Sequence, residues 1–173
     1  MASQKKNAFM KVVGFGNMFS NKLGARIGTW AFCSRIHYAK TSGIKFTKLT
    51  SSETRASIRN IKRVQNHIGG IHATAMATLG ESATGSVLAM NLPDDKLPLL
   101  KSMKIDYVAR ANGDMKAIAS LSDEQREQIR TLDKGEVTVQ LEVRDSKSGE
   151  PILGEFTWAW IPKKRREKKA EAA

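Results

Sequence analysis

The chain is poor in cysteine, histidine and aromatic residues, and each shortage argues against a class of protein. Cys33 is the only cysteine among the 173 residues, so no intrachain disulfide can form, which fits a reducing compartment. The cysteine and the three histidines lack metal-ligand spacing, and we expect no metal site. Aromatic residues make up 6% of the chain and no nucleic-acid-binding motif is recognisable, which argues against a protein that stacks on bases.

A continuous apolar segment near the N terminus is also missing. The first residues are interrupted by lysines, asparagines and glycines and do not resemble the core of a signal peptide. We therefore expect a cytoplasmic protein. A hydrophobic content of 40% and a mean hydropathy of −0.38 are those of an ordinary soluble globular protein, and the length suffices for one domain with its own core.

Acidic residues are scarce at both ends of the chain. Residues 1–63 contain 13 Lys/Arg and one acid, a net charge of +12, while residues 64–162 have a net charge of −4 and residues 163–173 one of +4. The overall charge of +12 therefore comes from the ends. Such ends favour anionic partners: the phosphates of coenzyme A, nucleic acid or an anionic membrane surface. A solvated surface with a basic bias is the alternative.

The middle of the chain contains an apolar run, residues 70–89, preceded by a short polar segment. Its composition leaves almost no polar face, which is typical of a helix buried on all sides. Asn91 and Pro93 then indicate where the helix stops. We predict one long core helix wrapped by a sheet.

Glu81 is the one ionisable group inside this apolar run. A carboxylate there is either a structural group satisfied by a neighbour or a catalytic base or nucleophile with a shifted pKa. Asn66, His67 and His72 lie just upstream as companions. His72 and Glu81 are nine residues apart, on opposite faces of one helix and more than ~13 Å apart along it. If they share a site, two copies of the chain must form it, and a two-fold dimer would contain two composite sites.

The pattern Asn66-x5-His72-x8-Glu81 resembles the hotdog-fold thioesterases of the phenylacetate-pathway (PaaI-like) type. The resemblance covers about residues 33–162. It implies an α+β hotdog fold, in which a curved antiparallel sheet wraps one long central helix, here with an extra N-terminal helix. The chain departs from the family in having His72-Ala73-Thr74 where the family has His-Gly-Gly. Ala73 still offers a backbone amide, but the extra methyl group puts the substrate class in doubt.

The resemblance implies an acyl-coenzyme A thioesterase with no cofactor besides the coenzyme A of its substrate. Glu81 would be the general base or the nucleophile, and Ala73 at the helix start would supply the oxyanion amide. Asn66 would position water or the carbonyl, and His72 would steady the thioester. Substrate-binding roles are assigned to four further residues: Gly70, Thr74, Lys104 and Arg110. The expected assembly is a homodimer, and the sequence leaves open whether two dimers form a homotetramer.

The first 30 residues show apolar groups at three-to-four spacing and predict an amphipathic helix, with a break near Ser20-Asn21. This helix either packs on the domain or lies on an anionic membrane surface through residues 5–30. We assign residues 31–162 to the hotdog domain and the basic tail 163–173 to a disordered segment.

The remaining pattern predicts extended chain over residues 31–63 and four strands after the central helix. A hairpin turn is predicted at 112–114, and a capping box at Ser122 predicts a short helix to about Leu132.

Two functions of other classes remain open beside the enzyme. Hotdog domains also serve as non-catalytic acyl-coenzyme A or lipid-binding modules. A basic protein that binds nucleic acid or a membrane surface is the third hypothesis. It rests on the pI of about 10.0 and the basic ends, and we rank nucleic acid below the thioester substrate.

Overall fold

A computed structural model of the protein describes residues 7–163, and residues 1–6 and 164–173 lie outside that description. Most of the tail predicted to be disordered, and the first six residues of the predicted N-terminal helix, are therefore outside the described residues. In chain order, the elements are α1 (Ala8–Phe19), α2 (Asn21–Arg35), α3 (His37–Ser42), β1 (Lys45–Leu49), β2 (Glu53–Ile58), α4 (Ala73–Ala89), β3 (Lys96–Tyr107), β4 (Met115–Ser120), α5 (Asp123–Thr131), β5 (Gly135–Asp145) and β6 (Ile152–Pro162), with a short 3₁₀ turn at Lys62–Val64 before α4.

The six strands form one curved antiparallel sheet in the order β1-β2-β4-β5-β6-β3. Strands β1 and β3 are its edges. Helix α4 packs against the inner side of the sheet and touches five of the strands, β2 through β6. The prediction of one long core helix wrapped by an antiparallel sheet, with α+β class, is confirmed.

Small residues on α4 let the sheet approach closely. A Cβ atom at Gly80 would lie 2.5 Å from the ring of Phe156, and one at Gly85 would lie 2.7 Å from the ring of Trp158. The indole nitrogen of Trp158 also donates to the hydroxyl of Thr84 at 3.0 Å. The two aromatic side chains of β6 therefore fill the space that larger helix residues would need, which explains why this helix is so rich in Gly, Ala, Ser and Thr.

Side chains satisfy both ends of α4, and one of them comes from a distant part of the chain. The helix begins at Ala73, three residues later than the apolar run, because His72 is its N-cap and its ring accepts from the backbone amide of Thr74. At the other end, Asn91 donates to the carbonyl of Val87, and Asn7 donates to that of Ala89. The start of α1 is thereby tied to the end of the core helix.

The N-terminal region forms three helices and not one. The break falls at Ser20, as predicted, and Ser20 caps α2. Gly16 and Gly24 lie at the contact between α1 and α2, where a Cβ on Gly16 would come within 2.6 Å of the Gly24 backbone. Buried residues of α1 and α2 belong to the same core as the sheet, so the predicted packing of this region on the domain is confirmed.

The prediction of extended chain from residue 31 is wrong as far as residue 42. Helix α2 continues to Arg35, and α3 ends at Ser42, where Gly43 adopts a left-handed conformation (φ 76°) that stops the helix. The buried positions Cys33, Ala39 and Ser42 face the core. The sequence pattern was misleading because the segment consists of the last five residues of α2 and the six residues of α3, and each piece is too short to show a helical period.

The predicted turn at 112–114 does not form a hairpin. Strand β3 pairs with β6 at the edge of the sheet, whereas β4 lies between β2 and β5. The intervening loop is fixed by other parts of the chain. The amide of Gly113 donates to the carboxylate of Asp145, and that of Asn60 donates to Asp114. Turn residues show where a chain changes direction, and pairing partners depend on the rest of the sheet.

Helix α5 follows the predicted capping box, with Ser122 and Gln125 exchanging hydrogen bonds. Its C-terminal carbonyls accept from the buried ammonium group of Lys96, which lies 2.6 Å from the Leu132 oxygen. Positive charge at this end of a helix is favourable. Within residues 7–163, no helix combines the length and the hydrophobicity needed to cross a bilayer.

Candidate active site

Glu81 lies on the face of α4 that the sheet does not cover. Within residues 75–88, all of which the structure describes, Glu81 is the only exposed position. Thr78, Ser82 and Gly85 share its face at three- and four-residue spacing. Neighbouring turns of the helix are buried, so the polypeptide presents one carboxylate at an opening in its apolar core.

This opening is an apolar cleft of about 600 Å³ between α4, the N-terminal helices and the start of β3. Phe9, Phe32, Leu99 and Trp158 are among its walls, and Arg35 lies among the lining residues with Glu81. Glu81 is the one carboxylate among the described residues that line it. The size and apolar character of the cleft suit an acyl chain or an aromatic acyl group.

The surroundings of Glu81 change its acidity. The carboxyl group is reached by solvent in the isolated chain, yet the apolar groups around it remove part of its hydration, and this desolvation raises the pKa of Glu81 above that of an ordinary glutamate. A raised pKa means that the carboxylate binds a proton more strongly than an ordinary glutamate does, which suits a general base.

The start of α4 forms a second polar centre. The ring Nδ1 of His72 lies 2.8 Å from the hydroxyl of Thr74 and accepts from the Thr74 amide, which leaves its Nε2 pointing away from the cap. The Ala73 amide is the first of the helix and has no acceptor among the described residues. The Tyr107 hydroxyl donates to the Ala73 carbonyl at 3.1 Å, so the end of β3 adjoins the helix start.

Asn66 and Gly70 shape the loop before α4. The Asn66 side-chain oxygen accepts from the amides of Ile68 and Gly70, both at 3.1 Å. Gly70 is buried, and a Cβ there would lie 2.9 Å from the Ala111 carbonyl oxygen. The structure therefore gives both residues a role in positioning the loop, in addition to the substrate contacts predicted for them.

The structure does not bring Glu81 and the helix start together within one chain. Neither Asn66, His72 nor Ala73 is among the residues that line the Glu81 cleft. Eight helical steps separate Ala73 from Glu81, which corresponds to about 12 Å along the axis. The two halves of the predicted site thus lie on one helix but at separate places.

The two basic residues assigned to substrate binding are exposed and apart from the cleft. Lys104 lies on β3 with its ammonium 3.8 Å from Asp106 and is opposite Glu155 of β6. Arg110 lies in the loop after β3, where its carbonyl accepts from the Ser148 hydroxyl. Within residues 7–163, no group of three His, Cys, Asp or Glu side chains is arranged to hold a metal ion.

The sequence patterns did not predict most of the residues that line the Glu81 cleft. Phe32, Arg35 and Tyr38 fall in the segment predicted to be extended, and only their helical conformation places them opposite Glu81. The contact of Tyr107 with the helix start depends on how β3 crosses α4. The rings of Phe9 and Phe32 pack against each other, with centroids 6.4 Å apart, a contact that the sequence did not predict.

Residues 24–161 match the protein family described as "Domain of unknown function (DUF4442)". The sequence matches none of the curated proteins with which it was compared.

Several solved structures have the same fold. A protein of unknown function from Pseudomonas aeruginosa, described as a probable thioesterase, is 21% identical with a TM-score of 0.70, covering 78% of this chain and 93% of its own. A thioesterase from Haemophilus influenzae is 13% identical with a TM-score of 0.64, covering 80% and 91%. A thioesterase family protein from Silicibacter pomeroyi is 12% identical with a TM-score of 0.63, covering 78% and 96%. At these identities the likeness establishes the fold, which is the hotdog fold.

Proposed function

The chain belongs to the DUF4442 family, and we propose that within this family it acts as an acyl-coenzyme A thioesterase, with Glu81 at the reacting centre. One observation supports this above all others. A single carboxylate with a raised pKa projects from an otherwise buried helix into an apolar cleft of about 600 Å³. The names of the structural relatives point to the same class of reaction.

In the proposed reaction, Glu81 removes a proton from water as the water oxygen attacks the thioester carbonyl. The carbon–sulfur bond of the tetrahedral intermediate then breaks, and coenzyme A leaves as a thiolate that takes up a proton. In the alternative route, the Glu81 carboxylate attacks the carbonyl itself and the carbon–sulfur bond breaks to release coenzyme A as a thiolate, and water then hydrolyses the mixed anhydride. Both routes need an ionised Glu81 and an apolar cleft that holds the acyl group beside it.

The Ala73 amide is the proposed donor to the developing oxyanion. It is the first amide of α4 and has no acceptor among the described residues, and the positive end of the helix dipole lies there. A preorganised amide that meets the charge only in the transition state lowers the barrier directly. His72, which caps the same turn, would keep this amide in place and offer its Nε2 to the thioester.

A second copy of the chain would bring these two halves together. Pro98 to Leu100, near the beginning of β3, line the Glu81 cleft, while Tyr107 at the other end contacts the start of α4. The β3 edge is unpaired in the described chain and exposes Leu97, Leu99 and Met103. If two β3 strands pair antiparallel about an axis at Met103, Leu99 of one copy lies opposite Tyr107 of the other. That arrangement supplies two composite sites.

The pantetheine and nucleotide parts of coenzyme A would leave the cleft near this interface. Lys104 lies in the second half of β3 and Arg110 in the loop after it, and we propose both as partners of the phosphates. Their exposure suits anions held at the surface, where each contact contributes little energy and mainly orients the substrate.

The test is thioester hydrolysis over a panel of short, long and aromatic acyl-coenzyme A substrates. Glu81→Gln preserves the size and polarity of the side chain but removes the base, and we expect kcat to fall by about 10²–10⁴. Glu127→Gln, an exposed glutamate on α5, is the matched control and should retain wild-type activity. Sedimentation of both variants would show whether they keep the assembly of the wild type.

Two outcomes would change the proposal. If Glu81→Gln retains full activity, Glu81 is not the base. If the wild-type chain binds acyl-coenzyme A but hydrolyses none of the panel, the protein is a binding module that uses the same cleft. The separation of Glu81 from the helix start within one chain is the observation that favours this second function, because a cleft without its oxyanion site can bind and not react.

A further inference from the structure

The outward face of α1 is apolar, although the opposite face of the same helix is already buried in the core. Met10, Val13 and Gly16 face inward. On the other side lie Val12, Phe15, Met18 and Phe19, of which Met18 is 80% exposed and Phe19 68%. A helix on a protein surface ordinarily turns charged residues toward water. This helix carries one charged residue, Lys11, on its exposed side.

Helix α2, which packs against α1, also exposes apolar residues. Leu23 and Trp30 are exposed there, Trp30 to 72%, and the exposed basic residues Lys22 and Arg26 are close to them in the sequence. Positions 23, 26 and 30 recur at helical spacing and therefore share one side of α2. We call Val12, Phe15, Met18, Phe19, Leu23 and Trp30, with the basic residues among them, the α1–α2 surface.

The charges around this surface have one sign. Residues 7–52 contain seven Lys or Arg and no acidic residue. The first acid, Glu53, is already engaged by Lys48 at 3.2 Å and Arg55 at 2.6 Å. The exposed apolar side chains thus lie in a segment whose charged residues are all basic, which is the composition of helices that lie at the boundary of an anionic lipid bilayer.

We propose that the α1–α2 surface docks the protein on anionic lipid membranes. The aromatic and aliphatic side chains would enter the boundary between headgroups and acyl chains, and Lys22 and Arg26 would contact the phosphates. This inference is independent of the thioesterase proposal, because none of the residues of the α1–α2 surface is among those that line the Glu81 cleft.

Two other occupants fit the surface less well. A second copy in a two-fold contact would place the same basic side chains against each other, with no acid on either helix to compensate them. Nucleic acid would satisfy the positive charge, but its phosphates offer nothing to Phe15, Met18 and Phe19. Only an anionic lipid surface provides both a negative charge and an apolar layer.

The experiment is flotation of the full chain with two kinds of vesicle at about 0.15 M salt. One kind is phosphatidylcholine alone, and the other contains about one third phosphatidylglycerol. We expect binding to the anionic vesicles only. Phe15→Gln with Phe19→Gln should weaken binding by about tenfold or more, since both rings are exposed and leave the core unchanged. Lys22→Gln and Arg26→Gln should each cost about fivefold.

A matched double variant tests whether the effect is local. Val108→Gln with Leu132→Gln removes two apolar side chains that are similarly exposed, at 54% and 49%, on other parts of the molecule, and should float like the wild type. Failure of the wild type to float with anionic vesicles would overturn the proposal. Undiminished flotation of the Phe15/Phe19 variant would instead assign lipid binding to the basic ends of the chain. A change in its oligomeric mass would assign the surface to contact between copies.

Discussion

Helices α4 and α1 are both strongly apolar, but the fold covers them differently. Five strands touch α4, and the one exposed residue in its centre is Glu81. Helix α1 is covered on one side only, and its free side exposes Phe15, Met18 and Phe19. Nearly complete cover leaves a single carboxylate at an opening in the core and raises its pKa by desolvation, whereas half cover leaves an apolar face for a partner. Both helices are strongly apolar, so their composition alone does not show which of them is covered by other elements. Substitutions in each helix should show the difference.

After the loss expected for Glu81→Gln, the largest predicted effect is at the start of α4. Ala73→Pro removes the proposed oxyanion amide and should lower kcat by about 10²–10³. The helix should remain intact, because proline is well accepted at the first helical position. The preceding residue, His72, already has the extended conformation (φ −64°, ψ 144°) that a following proline requires. Steady-state kinetics and thermal unfolding measure the two quantities separately.

Ala73→Ser is the control for this prediction, because it keeps the amide and adds a small side chain at the same position. Its kcat should stay within about threefold of the wild type. Equal losses of activity in the proline and serine variants would show that the site is sensitive to crowding and not to the amide.

The next effect concerns the pH dependence of activity. Because desolvation raises the pKa of Glu81, kcat/KM should decrease as the pH falls through a value above that of an ordinary glutamate. The decrease should approach about tenfold per pH unit below that pKa. A pH–rate profile of the wild type measures it. A profile that is flat down to the pKa of a free glutamate would argue against Glu81 as the base.

Ionisation of Glu81 should lower the stability of the fold, although the proposed reaction requires it. A carboxyl whose pKa is raised on folding contributes stability below its unfolded pKa, and this contribution is lost as the pH rises through the folded pKa. At neutral pH, Glu81→Gln should therefore be at least as stable as the wild type, although it is much less active. Denaturant unfolding at neutral and acidic pH checks the sign.

A smaller effect is expected from filling the close contact between α4 and the sheet. Gly85→Ala would place a Cβ 2.7 Å from the ring of Trp158, which is buried and held by its hydrogen bond to Thr84. Overpacking of this kind costs about 1–3 kcal/mol, and the better helix propensity of alanine returns about 1 kcal/mol of it. The free energy of unfolding should fall. A stabilised variant would mean that the ring moves aside easily.

The smallest effect is expected from a glycine-to-alanine substitution in α1. A Cβ at Gly14 would meet nothing within 4 Å, so Gly14→Ala gains helix propensity without a clash. We expect a stabilisation of about 0.5–1 kcal/mol, measured by the same unfolding experiment. If the free energy of unfolding falls for Gly85→Ala and rises for Gly14→Ala, the two helices differ in how closely other elements pack against them. A loss of stability at Gly14 would show that the α1–α2 contact extends further along the helix.

Much of the architecture followed from residue patterns. The apolar run predicted a buried α4, the pattern after it predicted four strands, and the capping box at Ser122 predicted α5. These features are local, because a helix or strand period repeats within a few residues. The helices over residues 31–42 and the pairing of β3 with β6 were not predicted, since both depend on contacts with residues far away in the chain.

By itself, the sequence determined that a single carboxylate would lie in an apolar helix, and that His72 and Glu81 could not meet within that helix. The composition of the run gives the first conclusion, and the period of the α-helix gives the second. The tertiary structure alone decided what surrounds Glu81, because Phe32, Arg35 and Tyr38 reach it only through the packing of α2 and α3 against α4. It also decided which face of α1 stays uncovered. Burial is set by which elements pack together, and that choice depends on the whole chain.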